Sequence, residues 1–237
     1  MNGRRMGAAV CAALTTLTMV LAWFGNAAAA ADGRPFLPLV PCDILVDAGH
    51  GGIDSGCVVG SVEEKDVNLA LAMELGNRLR ALGYHVVLTR TTDRALSDDT
   101  PETGRGRHAR DLLQRKRLAD ALRPLVVISL HANWAKSEST RGGEVLHPAN
   151  GQSLMLATLL QEALNRHYGL VRRPVPARTY FLLNAVRSPV VIVEAGYLSN
   201  PEDRQRLASP VERTRLAEEL AGAIHQFLLV FPNVRPR

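Results

Sequence analysis

Asp43-Ile-Leu-Val-Asp-Ala-Gly-His-Gly-Gly52 is the stretch of this sequence that best predicts its fold. Its first half is a short apolar run, typical of a strand buried on both faces, as in a parallel sheet. Its second half is rich in glycine, which lets the backbone turn sharply and approach a ligand closely. The stretch therefore predicts a buried strand that presents His50 at its carboxyl end.

Strand and helix patterns alternate along the rest of the chain. Further strands are predicted at residues 85–89, 125–130, 142–147, 179–183 and 190–193. Helices are predicted at residues 66–82, 109–122, 152–167, 201–207 and 210–229, and residues 91–107 are predicted to form a long surface loop. The alternation predicts a single layered α/β domain with a largely parallel, roughly six-stranded sheet flanked by helices.

Three polar residues lie just past the carboxyl ends of predicted strands: His50, His131 and Glu194. Sites in open α/β sheets are built at the carboxyl ends of the strands, so we expect these residues at one edge. Small neighbours around His50 and His131 leave room for a metal ion. The other five histidines are predicted to have structural or solvent roles: His85, His108, His147, His167 and His225.

A hydrolytic zinc site needs three ligands from His, Asp or Glu, an open position for water and a nearby base. His50 and His131 are candidate ligands. Glu63 and Glu64 precede the first predicted helix, where acids are also favoured by the helix dipole alone, and spacing does not choose between them. Glu194 follows an apolar strand, where a carboxylate is unfavourable unless it is coordinated or paired with an arginine.

Four motifs, in order, resemble the zinc-dependent N-acetylmuramoyl-L-alanine amidases. They are Asp47-Ala-Gly-His-Gly-Gly-Ile-Asp-Ser-Gly56 followed by Glu64-Lys65-Asp66, Thr89-Arg90 with Asp93, Ser129-Leu-His-Ala-Asn133, and Val193-Glu-Ala-Gly-Tyr-Leu-Ser-Asn200. The resemblance implies that His50, Glu64 and His131 bind one zinc ion and that Glu194 is the catalytic residue. The implied substrate is the amide bond between N-acetylmuramic acid and the L-alanine of the stem peptide.

Other segments resemble the sporulation-specific branch of that family, which starts muramic δ-lactam formation in the spore cortex. They are Ser61-Val-Glu-Glu-Lys-Asp66, Ser97-Asp-Asp-Thr100 and Arg107 with Asp111-Leu-Leu-Gln-Arg115. Cys57 departs from the family, which usually has alanine there. Cys57 and Cys42 are predicted to be either small buried thiols or a disulfide.

Two alternative functions fit part of these observations. Another zinc hydrolase of the wall, a peptidase or a deacetylase, would share the metal chemistry but not the four motifs. A non-catalytic wall-binding module would commonly lack a ligand or the base, and all four residues are present. Nucleic acid is excluded as a partner because no basic stretch is interleaved with aromatic residues. The expected partners are a peptidoglycan glycan strand with its stem peptide and, as the resemblance implies, a regulatory protein.

The first 31 of the 237 residues have the pattern of an export signal. Arg4 and Arg5 precede an uncharged stretch over residues 6–24, and alanines run to Ala31. Because that stretch approaches the roughly 20 residues that span a bilayer, the segment is either cleaved or kept as an anchor. We predict a linker over residues 32–42, a catalytic domain over 43–231 and a tail over 232–237. The predicted location is outside the cytoplasm, in the cell wall or the intermembrane space of a forespore.

Overall fold

A computed structural model of the chain describes residues 42–99 and 106–232. Its strands are β1 (Ile44–Ala48), β2 (Val58–Val59), β3 (Val62–Glu63), β4 (Val86–Leu88), β5 (Val126–Asn133), β6 (Glu144–His147), β7 (Val175–Pro176) and β8 (Val190–Tyr197). Six of them form one sheet in the order β4-β1-β5-β8-β6-β7, and β2 and β3 form a separate hairpin. In the sheet β6 and β8 are antiparallel, and every other neighbouring pair is parallel.

Helices cover both faces of the sheet. They are α1 (Glu64–Ala81), α2 (Arg107–Leu122), α3 (Gly151–Tyr168), α4 (Phe181–Ala185), α5 (Pro201–Ala208) and α6 (Pro210–Val230). The predicted α/β domain with a largely parallel, six-stranded sheet is therefore confirmed. The five predicted helices are present with ends shifted by at most two residues, and Pro210 occupies the first turn of α6 as predicted.

Consecutive residues of β1 pack on opposite faces of the sheet. Ile44 and Val46 belong to a large apolar cluster with residues of α1, α3 and α6. Leu45 belongs to a second cluster with residues of α2 and α4. All three side chains are buried. Because both faces are covered, the strand is apolar throughout instead of alternating with polar residues.

Residues 179–183, which we predicted as a strand, do not join the sheet. The segment enters α4, and the edge strand is formed earlier in the chain by β7. A single helical turn buries both Leu182 and Leu183, whereas a strand would point them to opposite faces. Asn184 Nδ2 also donates to the carbonyl oxygen of Tyr180 at 2.8 Å, which stabilises the turn. Packing therefore overrides the strand propensity of these residues.

β5 and β8 continue beyond the apolar runs from which they were predicted. β5 extends to Asn133 and β8 to Tyr197, so His131 and Glu194 lie within the strands and are register partners. The prediction that both residues follow a strand was wrong. The pairing shifts register between His131 and Asn133, and irregularities of this kind commonly re-aim side chains beside active sites.

The predicted surface loop over residues 91–107 contains helical and buried residues within its described part. A 3-10 helix spans Leu96–Asp99, and Ala95, Leu96 and Ser97 are buried. Arg107 is already the first residue of α2. The loop prediction was therefore wrong for these positions, because short helical segments give too few residues for a periodic pattern.

The predicted export signal over residues 1–31 lies outside the described residues, as do most of the predicted linker and tail. Within the part of the chain that the structure describes, no helix combines the length and the apolar character needed to cross a membrane.

Gln161 of α3 offers a test of how the edge of the sheet is stabilised. Its Oε1 accepts the N–H of Val145 at 2.9 Å, and its Nε2 donates to the carbonyl oxygen of Gly143 at 3.2 Å. We predict that Gln161→Leu lowers the free energy of unfolding by about 2–4 kcal/mol, because two buried backbone groups lose their partner. Urea denaturation measures the change. The exposed neighbour Glu162→Gln should change it by less than about 0.5 kcal/mol, and equal effects of the two variants would contradict the prediction.

Candidate active site

The turn after β1 places His50 in a conformation that is uncommon for a residue with a side chain. Its φ is +58°, in the left-handed region. Gly49 precedes it, and a Cβ atom at that position would lie 2.3 Å from the His131 ring. Only glycine lets the His131 ring lie this close to the turn. The sharp turn that the sequence predicts is therefore present, and it brings the two histidines together.

Two buried arginines hold the carbonyl groups of this turn. Arg90 donates from Nε to the carbonyl oxygen of Ala48 at 3.1 Å and from Nη2 to that of Gly49 at 2.9 Å. Arg115 donates from Nη1 to Ala48 and from Nη2 to His50, both at 2.9 Å. The two arginines are 2% and 4% exposed. Charge-assisted hydrogen bonds of this kind are stronger than neutral ones, so the turn is firmly fixed.

Asp47 and Asp111 balance the buried charge of Arg115. Asp47 forms an ion pair with Arg115 and accepts the hydroxyl groups of Ser129 at 2.6 Å and Thr89 at 2.9 Å. Asp111 accepts from Arg115 Nε at 2.7 Å. Burial alone would raise the pKa of Asp47, but Arg115 and the hydroxyl donors outweigh it and lower the pKa. Asp47 is therefore an ionised carboxylate.

His50, Glu64 and His131 meet at the carboxyl edge of the sheet. Glu64 Oε1 lies 3.1 Å from His50 Nε2 and 3.0 Å from His131 Nδ1. One donor atom from each residue lies within 4.8 Å of the other two. Glu63, the alternative that spacing left open, instead has a carboxylate oxygen 3.2 Å from Lys65 Nζ. The structure thus brings together the three residues that the resemblance implied as metal ligands.

Neighbouring groups orient these three donors. Glu64 Oε2 accepts the backbone N–H of Cys57 at 2.9 Å, and Oε1 accepts that of Ala132 at 3.3 Å. Asp54 Oδ1 lies 3.2 Å from His50 Nδ1, which leaves Nε2 on the side of Glu64. Carboxylates and backbone groups in such positions orient the ligands of metal sites.

The electrostatics of the three residues favour positive charge between them. Burial alone would raise the pKa of Glu64, but hydrogen bonds with His131 and His50 lower it far below its usual range. Burial alone would lower the pKa of His50, but Glu64 and Asp54 raise it. Glu64 is therefore an ionised carboxylate that favours a positive charge beside it.

Glu194 lies beside this centre on β8. It is the register partner of His131 on one side and of Glu144 on the other. Its side chain is buried. Burial raises the pKa of Glu194, His131 opposes the shift, and the charges of Glu64 and Glu144 add to it. A raised pKa suits a carboxyl group that accepts and then releases a proton.

A cavity of about 510 Å³ opens beside these groups, within the range of ligand pockets. His50, Glu64, His131 and Glu194 all line it. Exposed aromatic residues line it as well: Trp134, Tyr180 and Phe181. The cavity therefore combines ionisable groups with apolar surface, as substrate sites commonly do.

Asp111 and Arg115 lie four residues apart on α2, and the sequence did not predict that they support the site. Their acid–base spacing was the available signal. The same spacing is common on solvated helix faces, as the solvent-accessible pair of Lys116 and Asp120 on the same helix shows. His108 also lines the cavity, although we predicted a structural or solvent role for it.

Cys42 and Cys57 are free thiols, so the alternative of a disulfide between them was wrong. Cys42 belongs to the second apolar cluster, and Cys57 packs against the first, across the sheet. Burial and the charge of Glu64 raise the pKa of Cys57 to about 12. The thiol beside the site is therefore protonated at neutral pH, which makes it a poor nucleophile.

Two histidines and two glutamates beside a cavity, at the carboxyl edge of an α/β sheet, are typical of a metal-dependent hydrolase. The family model described as N-acetylmuramoyl-L-alanine amidase, Amidase_3, matches residues 44–226. The chain belongs to this family.

Individual relatives agree with the family match. The germination-specific N-acetylmuramoyl-L-alanine amidase of Bacillus subtilis is 30% identical over 193 residues, which cover 81% of each chain. The structure of the CwlD amidase from Clostridioides difficile, in complex with the GerS lipoprotein, matches with a TM-score of 0.73 and 28% identity, over 79% of this chain and 98% of that one. The catalytic domain of CwlV from Bacillus (Paenibacillus) polymyxa var. colistinus matches with a TM-score of 0.67 and 29% identity, over 79% and 98%. The chain is thus an amidase that cleaves the bond between N-acetylmuramic acid and L-alanine in peptidoglycan.

The buried carboxylate of Asp47 gives a prediction for stability. We predict that Asp47→Asn lowers the free energy of unfolding by about 3–5 kcal/mol at pH 7, because the buried Arg115 loses a charged partner. The folded-state pKa of Asp47 lies below the unfolded value of about 3.9. Its contribution is therefore complete well above that pH and is lost as the pH falls toward the folded-state pKa.

Urea denaturation at several pH values checks this prediction. The difference between the wild type and Asp47→Asn should be largest near neutral pH and shrink below about pH 4. Asp120→Asn, which removes an exposed partner of Lys116 on α2, should cost no more than about 1 kcal/mol. A difference for Asp47→Asn that does not change with pH would contradict the assignment.

Proposed function

We propose that the chain binds one zinc ion on His50, Glu64 and His131 and uses Glu194 to move the proton during amide hydrolysis. The observation that carries the proposal is the convergence of the three donors within 4.8 Å, beside a buried glutamate and a cavity. Two imidazoles and one carboxylate are a zinc donor set of hydrolytic enzymes, in which a fourth position stays open for water.

The charge states of Glu64 and His50 also support a zinc ion at this site. The pKa of Glu64 is strongly lowered, so its carboxylate is ionised. The raised pKa of His50 means that the centre stabilises an added positive charge. A metal ion provides that charge while the imidazoles stay neutral, as ligation requires. When bound, zinc supplies Lewis acidity to a carbonyl oxygen and lowers the pKa of a water molecule that it holds.

Glu194 is the proposed proton carrier. Its carboxylate accepts a proton from the attacking water, whose oxygen joins the lactyl carbonyl carbon. The carbon–nitrogen bond then breaks, and Glu194 gives the proton to the amine nitrogen of the leaving L-alanine. Burial raises the pKa of Glu194, which makes its carboxylate a better acceptor of the water proton in the first transfer than an exposed carboxylate.

The exposed aromatic residues of the cavity support a large, partly apolar substrate. Trp134 and Tyr180 are 52% and 45% exposed and line the same cavity as the ionisable groups. Aromatic side chains in such places combine an apolar face with a polar group for ligand contact. A glycan strand with its stem peptide is a substrate of this kind, and we propose that the enzyme acts on it outside the cytoplasm.

We further propose a role in spore cortex maturation, in which stem peptides are removed before muramic δ-lactam forms. The similarity to the germination-specific amidase of Bacillus subtilis supports this setting. A regulatory protein partner is proposed as well, because the similar CwlD amidase was solved in complex with a lipoprotein.

Digestion of purified peptidoglycan tests the proposed reaction and setting. We expect free stem peptides with an L-alanine amino terminus, detected by mass spectrometry, and we expect a zinc chelator to abolish them and added zinc to restore them. A deacetylase specific for muramic residues should then allow δ-lactam to form in the product. Release of D-alanine or acetate instead would favour a peptidase or a deacetylase, and full activity without metal would contradict the zinc centre.

Glu194 can be separated from the metal ligands by substitution. We expect Glu194→Gln to keep one zinc ion per chain and to lower kcat by about 10²–10⁴-fold, because the amide cannot carry the proton. Glu144→Gln is the matched control, since it neutralises the neighbouring carboxylate and should keep kcat within tenfold. A Glu194→Gln enzyme with near-normal kcat would remove Glu194 from the mechanism.

A further inference from the structure

Asp111 links the 3-10 helix to the cluster below the site. Its Oδ1 accepts the backbone N–H of Leu96 at 2.9 Å and that of Ser97 at 3.2 Å. Its Oδ2 accepts from Arg115 Nε at 2.7 Å. The buried carboxylate of Asp111 thus connects the 3-10 helix, which precedes α2, to the guanidinium group of Arg115 on α2.

Arg115 reaches the site through its other nitrogens. Nη1 contacts Asp47 and the carbonyl oxygen of Ala48, and Nη2 donates to the carbonyl oxygen of His50 at 2.9 Å. The side chain is almost fully buried. Every nitrogen of the guanidinium group therefore has a partner, and one partner is the backbone of a proposed metal ligand.

The contact with His50 matters because of the conformation of that residue. A left-handed φ at a residue with a side chain is unfavourable and persists only when the surroundings enforce it. Arg115 donates to the carbonyl group of His50 itself, whereas Arg90 holds the two residues before it. Of the two arginines, Arg115 is the one that donates a hydrogen bond to the carbonyl group of His50.

We infer that Arg115 is the positioning residue of the metal centre: it holds His50 in its left-handed turn so that His50 Nε2 faces Glu64 before a metal ion binds. Asp111 in turn fixes Arg115 and ties it to the 3-10 helix. This inference rests on the proposed function, since it concerns the affinity of that centre for zinc. If Arg115 only stabilised the fold, its substitution would not change the affinity of the folded protein for zinc.

Arg115→Lys is the variant that tests the inference. Lysine keeps the charge, but its single ammonium group cannot span two carboxylates and two carbonyl groups as the planar fork does. Loss of an outer partner of a metal ligand typically weakens metal binding by about 10–100-fold, and we expect the zinc Kd of Arg115→Lys to rise by that factor. Competition between the metal-free protein and a chromogenic zinc chelator measures the Kd.

Activity at different zinc concentrations gives a second readout. We expect saturating zinc to restore most of the kcat of Arg115→Lys, with KM for peptidoglycan near the wild-type value, because Arg115 acts on His50 and not on the substrate. Lys116→Gln, which alters the next residue of α2 and an exposed ion pair, is the matched control and should leave the zinc Kd unchanged.

Asp111→Asn keeps an oxygen that accepts from Leu96 and Ser97 but removes the charge that pairs with Arg115. We expect this variant to weaken zinc binding as well, and it replaces Arg115→Lys if circular dichroism shows that the latter is unfolded. A folded Arg115→Lys or Asp111→Asn protein with wild-type zinc affinity would overturn the inference alone. A wild-type protein that binds no zinc would overturn the proposed function itself.

Discussion

The site of this amidase depends on a backbone turn whose carbonyl groups point toward buried positive charge. The carbonyl oxygens of residues 48–50 accept hydrogen bonds from Arg90 and Arg115. Buried carbonyl groups need such partners because no water reaches them. A buried guanidinium group is itself unfavourable unless it is paired, and Asp47 and Asp111 provide that pairing for Arg115. The cluster is therefore stable only when β1, α2 and the turn are all in place.

Residues from three adjacent strands and from the first turn of α1 complete the site. The turn after β1 supplies His50, β5 supplies His131 and β8 supplies Glu194. These strands are adjacent in the sheet, so their side chains share one edge. Glu64 is the first residue of α1 and lies within hydrogen-bond distance of both histidines. The order of the strands thus determines which residues meet, and the arginine cluster determines how His50 is presented.

Local sequence patterns predicted most of the fold, because apolar strands and amphipathic helices are set by nearby residues. They failed at residues 179–183, where burial of Leu182 and Leu183 in one helical turn decides the structure. The position of His50 after a strand was enough to predict a site. Spacing could not decide whether Glu63 or Glu64 is the ligand, because the position of each side chain depends on where α1 begins.

The role of Arg115 was hidden for a similar reason. Its partners Asp47 and His50 are 68 and 65 residues away in sequence, and only the folded chain brings them together. Motif resemblance supplied the ligand set that patterns alone left open, and the structure shows how that set is oriented by its neighbours.

The most direct test of the proposed metal centre is anomalous X-ray diffraction from crystals of the zinc-loaded protein, with data collected on both sides of the zinc absorption edge. We expect one strong anomalous peak per chain, bounded by His50 Nε2, a carboxylate oxygen of Glu64 and His131 Nδ1. A peak elsewhere in the chain, or a peak that lacks any of these three ligands, would contradict the proposed centre.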